Sequence, residues 1–453
     1  MTISLKSRFA ILAGRFSYWY LHRFRHGGSA YPGKLAARID PDVLGALGQD
    51  RPTIIVTGTN GKTLTTALIV KVLSQQYDDI LTNPTGSNML QGIIGAYFAH
   101  KKQAGAKRKI AVLEVDEANV KAVAHYLHPK AFVMTNIFRD QMDRYGEFYT
   151  TYDKILQGVK ANPDALVIAN GDAPIFSSRE LANPLQYYGF ELAAEANHDI
   201  FAPANTDGVL CPVCEHILHY HGITYSNLGS FFCPNCGFKR PVLSHQVTSV
   251  AAQTPTSSDF AIDGHPYHLP IGGTYNIYNA LAAYAVGAAF EITPAEIGQA
   301  FGEAEKVFGR QEQISINGKT VTLILVKNPV GLNEVLSMIQ HQQKPFAFAM
   351  LLNANYADGT DTSWIWDGNL EQLVQSGLAT SYMVGGERYR DIAFRMQVAG
   401  VPDDALATKP DLNDVIDYLK QVDENQIYLL ATYTAVLQMR QKFSQAGYIK
   451  AGF

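Results

Sequence analysis

Gly58-Thr59-Asn60-Gly61-Lys62-Thr63 stands between an apolar run at 53–56 and a helical spacing of Leu64, Ala67, Leu68, Val70, Lys71 and Val72. No other feature constrains the chain as strongly. A glycine-bearing turn between strand and helix belongs at the carboxyl edge of a parallel sheet, where backbone N–H groups and the helix N-terminus face an anion. Gly58, Thr59, Asn60, Gly61, Lys62 and Thr63 are therefore the expected nucleotide contacts. Lys62 is placed to meet the β/γ-phosphates, and Thr63 to help hold Mg²⁺. The full phosphate-loop pattern has glycine at position 56, which here is Val56, so the motif is a shorter variant.

Apolar runs recur at 110–115, 131–134 and 165–169, each followed by helical periodicity. That alternation predicts a parallel sheet covered on both faces. Glu114, Thr135-Asn136 and Asn170-Gly171-Asp172 fall at or after these runs and mark an active-site edge. Glu114 is the expected Mg²⁺ carboxylate; a solvated strand-end acid is the plainer alternative. Residues 246 to about 310 read as helical. Asn317-Gly318 predicts a two-residue hairpin, followed by strands near 321–326, 346–353, 380–385 and 427–432. The expected architecture is α/β. It has a helical segment at 1–45, a central sheet unit at 46–312 and a smaller α/β unit at 313–453.

All four cysteines of the 453-residue chain lie in Cys211-Pro212-Val213-Cys214 and Cys233-Pro234-Asn235-Cys236. Two C-x2-C pairs at this separation have zinc-ribbon spacing, and four thiolates leave no open position, so Zn²⁺ here is structural. Disulfides or free thiols are the alternatives. The ribbon is an insertion at 205–245. If the metal takes every cysteine, none remains as a nucleophile.

The net charge of −4 argues against a nucleic-acid partner bound by charge, and no run approaches the ~20 apolar residues of a membrane-spanning helix. Arg15 interrupts the apolar centre that a signal peptide would need. The expected location is cytoplasmic. Lys6, Arg8, Arg15, His22, Arg23 and Arg25 among Phe9, Ile11, Leu12, Phe16, Trp19, Tyr20, Leu21 and Phe24 predict an amphipathic helix. It either packs on the body or rests on anionic lipid.

Taken together, the phosphate loop, Glu114, Thr135-Asn136, Asp140-Gln141-Met142-Asp143, Tyr275-Asn276-Ile277-Tyr278-Asn279, Gly309-Arg310 and Lys327-Asn328-Pro329 follow the order of a known family. The chain resembles the Mur ligases, which use ATP to convert a carboxylate to an acyl phosphate that an amine attacks. Gln141 stands where that family commonly has His, and Ile324 where many members have Asp. The resemblance implies adenine contacts at Asn276 and Asn279, a nucleotide contact at Arg310, and Mg²⁺ between Thr63 and Glu114.

The cysteine insertion and the stretch Ala357-Asp358-Gly359-Thr360-Asp361-Thr362-Ser363-Trp364 narrow the resemblance to the amidating branch. It implies a heterodimer with a GatD-type glutaminase and a lipid II substrate at the membrane surface, whose D-Glu α-carboxylate is amidated. It further implies that a C-terminal acid completes the partner's Cys–His pair. Of Asp358, Asp361 and Asp367, the favoured residue is Asp361; the alternative is a turn acid capping at Ser363. Two other functions stay open: a ligase of the Mur or folylpolyglutamate type that adds an amino acid, and a zinc-ribbon nucleotide-binding regulator.

Overall fold

The computed structural model describes residues 3–449, apart from 25–29, 84–86, 102, 139–147, 192–198, 204–205, 207, 305–310 and 341–343. The chain opens with helices α1 (Leu5–Phe24), α2 (Tyr31–Ile39) and α3 (Val43–Gly48). Strands β1 (Thr53–Thr57), β2 (Asp79–Thr82), β3 (Lys109–Glu114), β4 (Ala131–Met134), β5 (Leu166–Asn170) and β6 (Leu185–Phe190) follow. After them come β7 (His219–Tyr225), β8 (Leu228–Phe232), β9 (His245–Gln253), β10 (Ser258–Ile262) and β11 (His265–Leu269).

Nine of these strands form one sheet in the order β11-β10-β9-β6-β5-β4-β1-β3-β2. From β2 to β9 every pairing is parallel, whereas β10 and β11 extend the edge antiparallel. β1 and β4 are buried along their whole length, as expected of strands covered on both faces. Helix α4 (Lys62–Leu73) covers one face and packs on the long helix Thr274–Ala289. In register, Val56 lies opposite Glu114 on β3 and Val133 on β4. The carboxyl ends of these three strands thus bring the loop, Glu114 and Thr135-Asn136 to one edge.

A second sheet has the order β12-β13-β17-β14-β15-β16, from β12 (Glu312–Ile316), β13 (Lys319–Leu325), β14 (Phe346–Leu351), β15 (Ala379–Gly385), β16 (Leu406–Lys409) and β17 (Gln426–Ala431). Asn317 (φ +50°) and Gly318 (φ +81°) turn the β12–β13 hairpin as expected, both left-handed. The anticipated strands of this part lie within a residue or two of those found.

Two expectations change. Residues 246 to about 310 are not helical throughout, because β9, β10 and β11 precede the helices Thr274–Ala289 and Pro294–Gly302. β9 runs largely exposed, so its outer residues, such as Ala251, Ala252 and Gln253, carry no apolar alternation to announce a strand. The N-terminal helix is present, but its large apolar residues do not face the body. Its buried side chains are Ser7, Ala10, Gly14 and Ser17, which pack against α2. Among the described residues, no helix is long and apolar enough to cross a membrane.

Candidate nucleotide site, metal cluster and C-terminal acidic turn

After β1 the chain turns through Gly58 (φ +130°) and Gly61 (φ +83°). A Cβ on Gly58 would lie 2.3 Å from Thr135 Oγ1, and one on Gly61 would lie 2.2 Å from Asn279 Oδ1. Both the dihedrals and the space demand glycine here. Thr135-Asn136 braces the turn from β4. Thr59 N donates to Asn136 O (2.8 Å), Asn60 N donates to Asn136 Oδ1 (2.8 Å), and Thr135 Oγ1 donates to Asn60 O (2.8 Å). The loop is held as a rigid cradle at a helix N-terminus, which suits a polyphosphate.

Lys62 is buried at the first position of α4 and folds back over this turn. Its Nζ donates to Gly58 O, and to Glu117 Oε1 at 3.0 Å. Burial works to lower the Lys62 pKa, but Glu117, then Glu114 and Asp116, outweigh it, and the net shift is upward. The ammonium is therefore held charged, while burial, only partly offset by Lys62, pushes the Glu117 carboxyl up. Glu114 is buried at the end of β3, where its Oε1 accepts from Asn88 Nδ2 (3.1 Å) and Asn83 pairs with its backbone. Thr63 stands half-buried in the first turn of α4. A buried carboxylate and a hydroxyl on neighbouring elements beside a phosphate cradle form an oxygen-donor set that fits Mg²⁺.

A cleft opens in front of the loop. Asn60, Gly61 and Leu64 line one wall, Asn276 and Asn279 the floor, and Lys327, Asn328 and Glu334 the opposite wall. Asn276 and Asn279 are locked in series: Thr65 Oγ1 donates to Asn279 Oδ1 (3.1 Å), Asn279 Nδ2 to Asn276 Oδ1 (3.1 Å), and Asn276 Nδ2 to Gly272 O (2.6 Å). Asn60 and Asn328 exchange side-chain hydrogen bonds across the cleft (2.9 and 3.3 Å), and Asn328 also caps Gly331 N. Ile324 lines the same space, and so does Glu334, whose carboxyl is pushed up to about 8 by burial.

The four cysteines converge. Their Sγ atoms all lie within 4.8 Å of one another, with Cys211–Cys236 at 3.6 Å and Cys214–Cys233 at 3.5 Å. No disulfide joins them. A tetrahedral zinc with ~2.3 Å bonds needs sulfurs just under ~4 Å apart, so the set fits that metal. Each C-x2-C pair is followed by a left-handed residue, Glu215 (φ +61°) and Gly237 (φ +75°), which folds the two knuckles alike. The insertion is tied to the body by Asp172, which is fully buried. Arg240 Nη1 (2.9 Å), Tyr278 Oη (2.6 Å) and Phe190 N (2.8 Å) all donate to its carboxylate. Asp172 thus clamps the insertion, while Asn170 Nδ2 donates to Thr135 O (3.1 Å) at the edge that carries the loop.

Of the three C-terminal acids, Asp358 is buried and consumed by the N-terminus of helix Tyr433–Gln445, accepting from Thr434 N (2.7 Å) and Thr434 Oγ1 (2.5 Å). Asp361 is exposed and accepts from Ser363 N (2.8 Å), the first residue of the turn Ser363–Asp367, whose cap position is Thr362. Asp367 is half-buried. Trp364 belongs to the core, but Trp366 stands half out, with Phe394 against its ring (5.9 Å) and the Arg395 guanidinium over it (5.4 Å).

The structure brings together the loop, Glu114, Asn276 and Asn279, and separately the four cysteines; Asp361 lies apart on the second sheet unit. Arg310 and the 140–143 motif lie outside the described residues. Glu117 and Glu334 went unremarked in the sequence. Glu117 stands three residues beyond Glu114 with no mark of its own, and Glu334 is one acid on an otherwise ordinary helix.

A phosphate cradle on a parallel sheet, closed by a second sheet unit that contributes an Asn-Pro loop, defines an ATP-using ligase of the Mur class. Residues 56–236 match the Mur ligase middle domain model and residues 325–436 the MurT ligase C-terminal model. The fold is shared with a pseudomurein peptide ligase type C from Methanothermus fervidus (TM-score 0.67, 19% identity, 90% of this chain and 81% of that one). Within the class the chain belongs to the MurT family. It is 45% identical over 97% of each chain to the MurT subunit of lipid II isoglutaminyl synthase (glutamine-hydrolyzing) from Streptococcus pneumoniae (strain ATCC BAA-255 / R6). It is 33% identical to the protein of the same name from Staphylococcus aureus (strain N315), over 83% of this chain and 84% of that one. Mur ligases use ATP and Mg²⁺, and the word subunit in the relatives' name implies a partner chain.

Proposed function

We propose that this chain is the ligase subunit that amidates the α-carboxylate of D-Glu in the lipid II stem peptide, giving D-isoglutamine. Phosphoryl transfer from ATP gives an acyl phosphate, ammonia attacks its carbonyl carbon, and inorganic phosphate leaves. The observation that carries this reading is the match to the Streptococcus pneumoniae MurT subunit along 97% of the chain. It disfavours both an amino-acid-adding ligase and a nucleic-acid regulator.

In this reading 46–312 is the nucleotide unit and 313–453 the C-terminal unit. The N–H groups of Gly58 to Thr63 hold the phosphates. Lys62 leaves Glu117 to neutralise charge developing on the transferred phosphoryl group. Thr63 and Glu114 hold Mg²⁺, which lowers the charge repulsion between nucleotide and carboxylate. Asn276, Asn279 and Arg310 serve the nucleoside. Cys211, Cys214, Cys233 and Cys236 hold a structural Zn²⁺.

Ammonia comes from a GatD-type glutaminase. Every cysteine of this chain lies in the ribbon cluster, so the nucleophile for glutamine hydrolysis belongs to the partner. Exposed Asp361 orients the partner's His, with Trp366 and Phe394 as apolar contacts beside it. The complex works in the cytoplasm at the inner face of the membrane. The test is Asp361→Asn in the reconstituted complex with ATP, glutamine and lipid II. Product from glutamine should fall sharply while product from free ammonia persists. Loss of both would remove the assigned role.

A further inference from the structure

We infer that the outward face of α1 is a docking surface for anionic phospholipid. α1 has two unlike faces. Ser7, Ala10, Gly14 and Ser17 are buried, and a Cβ on Gly14 would already lie 2.4 Å from the Phe98 ring. Small side chains let the helix lie close against the body, so its large ones are left to point away.

Opposite them Leu5, Phe9, Leu12, Phe16 and Trp19 are 83%, 64%, 66%, 65% and 55% exposed. At ~3.6 residues per turn these five fall within an arc of about 80°. That is a continuous apolar ridge five side chains long, not scattered surface leucines.

Charge identifies the occupant. Lys6, Arg8, Arg15 and Arg23 on α1 are all exposed. Seven Lys and Arg precede Asp40, the first acid of the chain, in a protein whose net charge is −4. A second copy would bring the same cations to the ridge and be repelled. A flat anionic surface with an apolar interior satisfies both at once: the ridge enters the acyl boundary, the cations reach headgroup phosphates, and Trp19 and Tyr20 sit at the interface between them.

The inference goes beyond the proposed function and rests on it only for the benefit of standing beside a lipid-linked substrate. The full chain is sedimented with phosphatidylcholine vesicles, with and without phosphatidylglycerol. Binding should require the anionic lipid, weaken with salt, and shift Trp19 fluorescence to the blue. Phe16→Asp and Trp19→Asp, both on exposed positions, should weaken binding by about tenfold or more with unchanged melting temperature. Arg8→Glu with Arg15→Glu should do the same. Amidation of detergent-dispersed lipid II should be unaffected by these changes, which separates this inference from the ligase assignment.

The inference is overturned if wild type ignores anionic vesicles or binds zwitterionic ones equally. It is also overturned if the substitutions leave vesicle binding intact, or if they alter association with the glutaminase instead.

Discussion

Lys62 and Glu117 form a pair that is nine-tenths buried on both sides, next to a cradle built for phosphate. Removing the lysine has two separable effects. Lys62→Ala should lower ATP-dependent turnover by about 10²–10³-fold through lost charge stabilisation. It should also cost up to about 3–5 kcal/mol of stability, because Glu117 is left buried without its cation. Adding Glu117→Gln should restore the melting temperature but not the turnover; restored turnover would remove Lys62 from the chemistry.

Glu334 gives a pH signature. Held protonated to about 8, its carboxyl is neutral in the cleft below that pH and negative above it. Nucleotide affinity should therefore weaken several-fold between pH 7.5 and 9, measured by calorimetry. Glu334→Gln should flatten the profile; an equal slope in the variant would place the titrating group elsewhere. The same raised pKa means that the folded state holds this proton more tightly than the unfolded chain does. The associated stability is full at low pH and is lost as pH rises toward 8.

At this scale the loop was legible because its glycines and lysine are fixed by local geometry. Glu117 and Glu334 were not, since only tertiary packing brings them to Lys62 and to the cleft.

Among the elements, the four-cysteine insertion is the clearest to test. It hangs on the cysteine cluster and on the Asp172 clamp to Arg240 and Tyr278. Metal analysis of the purified protein should find one zinc per chain. Chelation should speed hydrogen exchange across β7, β8 and their flanks while β1, β3 and β4 stay protected, because the large sheet has its own core. Collapse of protection throughout would show that the ribbon props up the sheet.

The strands read most easily were those buried on both faces, β1, β3, β4 and β14, where apolar runs are continuous. β9, paired on both sides but largely exposed, and the edge strand β16 were hidden because exposed or half-buried strands carry little apolar pattern. α1 was legible as an amphipathic helix, but not which of its faces packs. Its strong apolar periodicity points to solvent, and the weak small-residue stripe does the packing.

For the whole molecule, two sheet units meet across the loop through Asn60 and Asn328, and all four thiols of the chain are gathered in one cluster that fits a metal ion. On the proposed reading such a chain activates the carboxylate and takes its ammonia from the glutaminase. The direct measurement is isotope tracing on the isolated chain with ATP and lipid II, supplying nitrogen-15 either as ammonium or as amide-labelled glutamine. The label should enter the product from ammonium, and from glutamine only when the glutaminase is added. Label entering from glutamine with this chain alone would contradict the account.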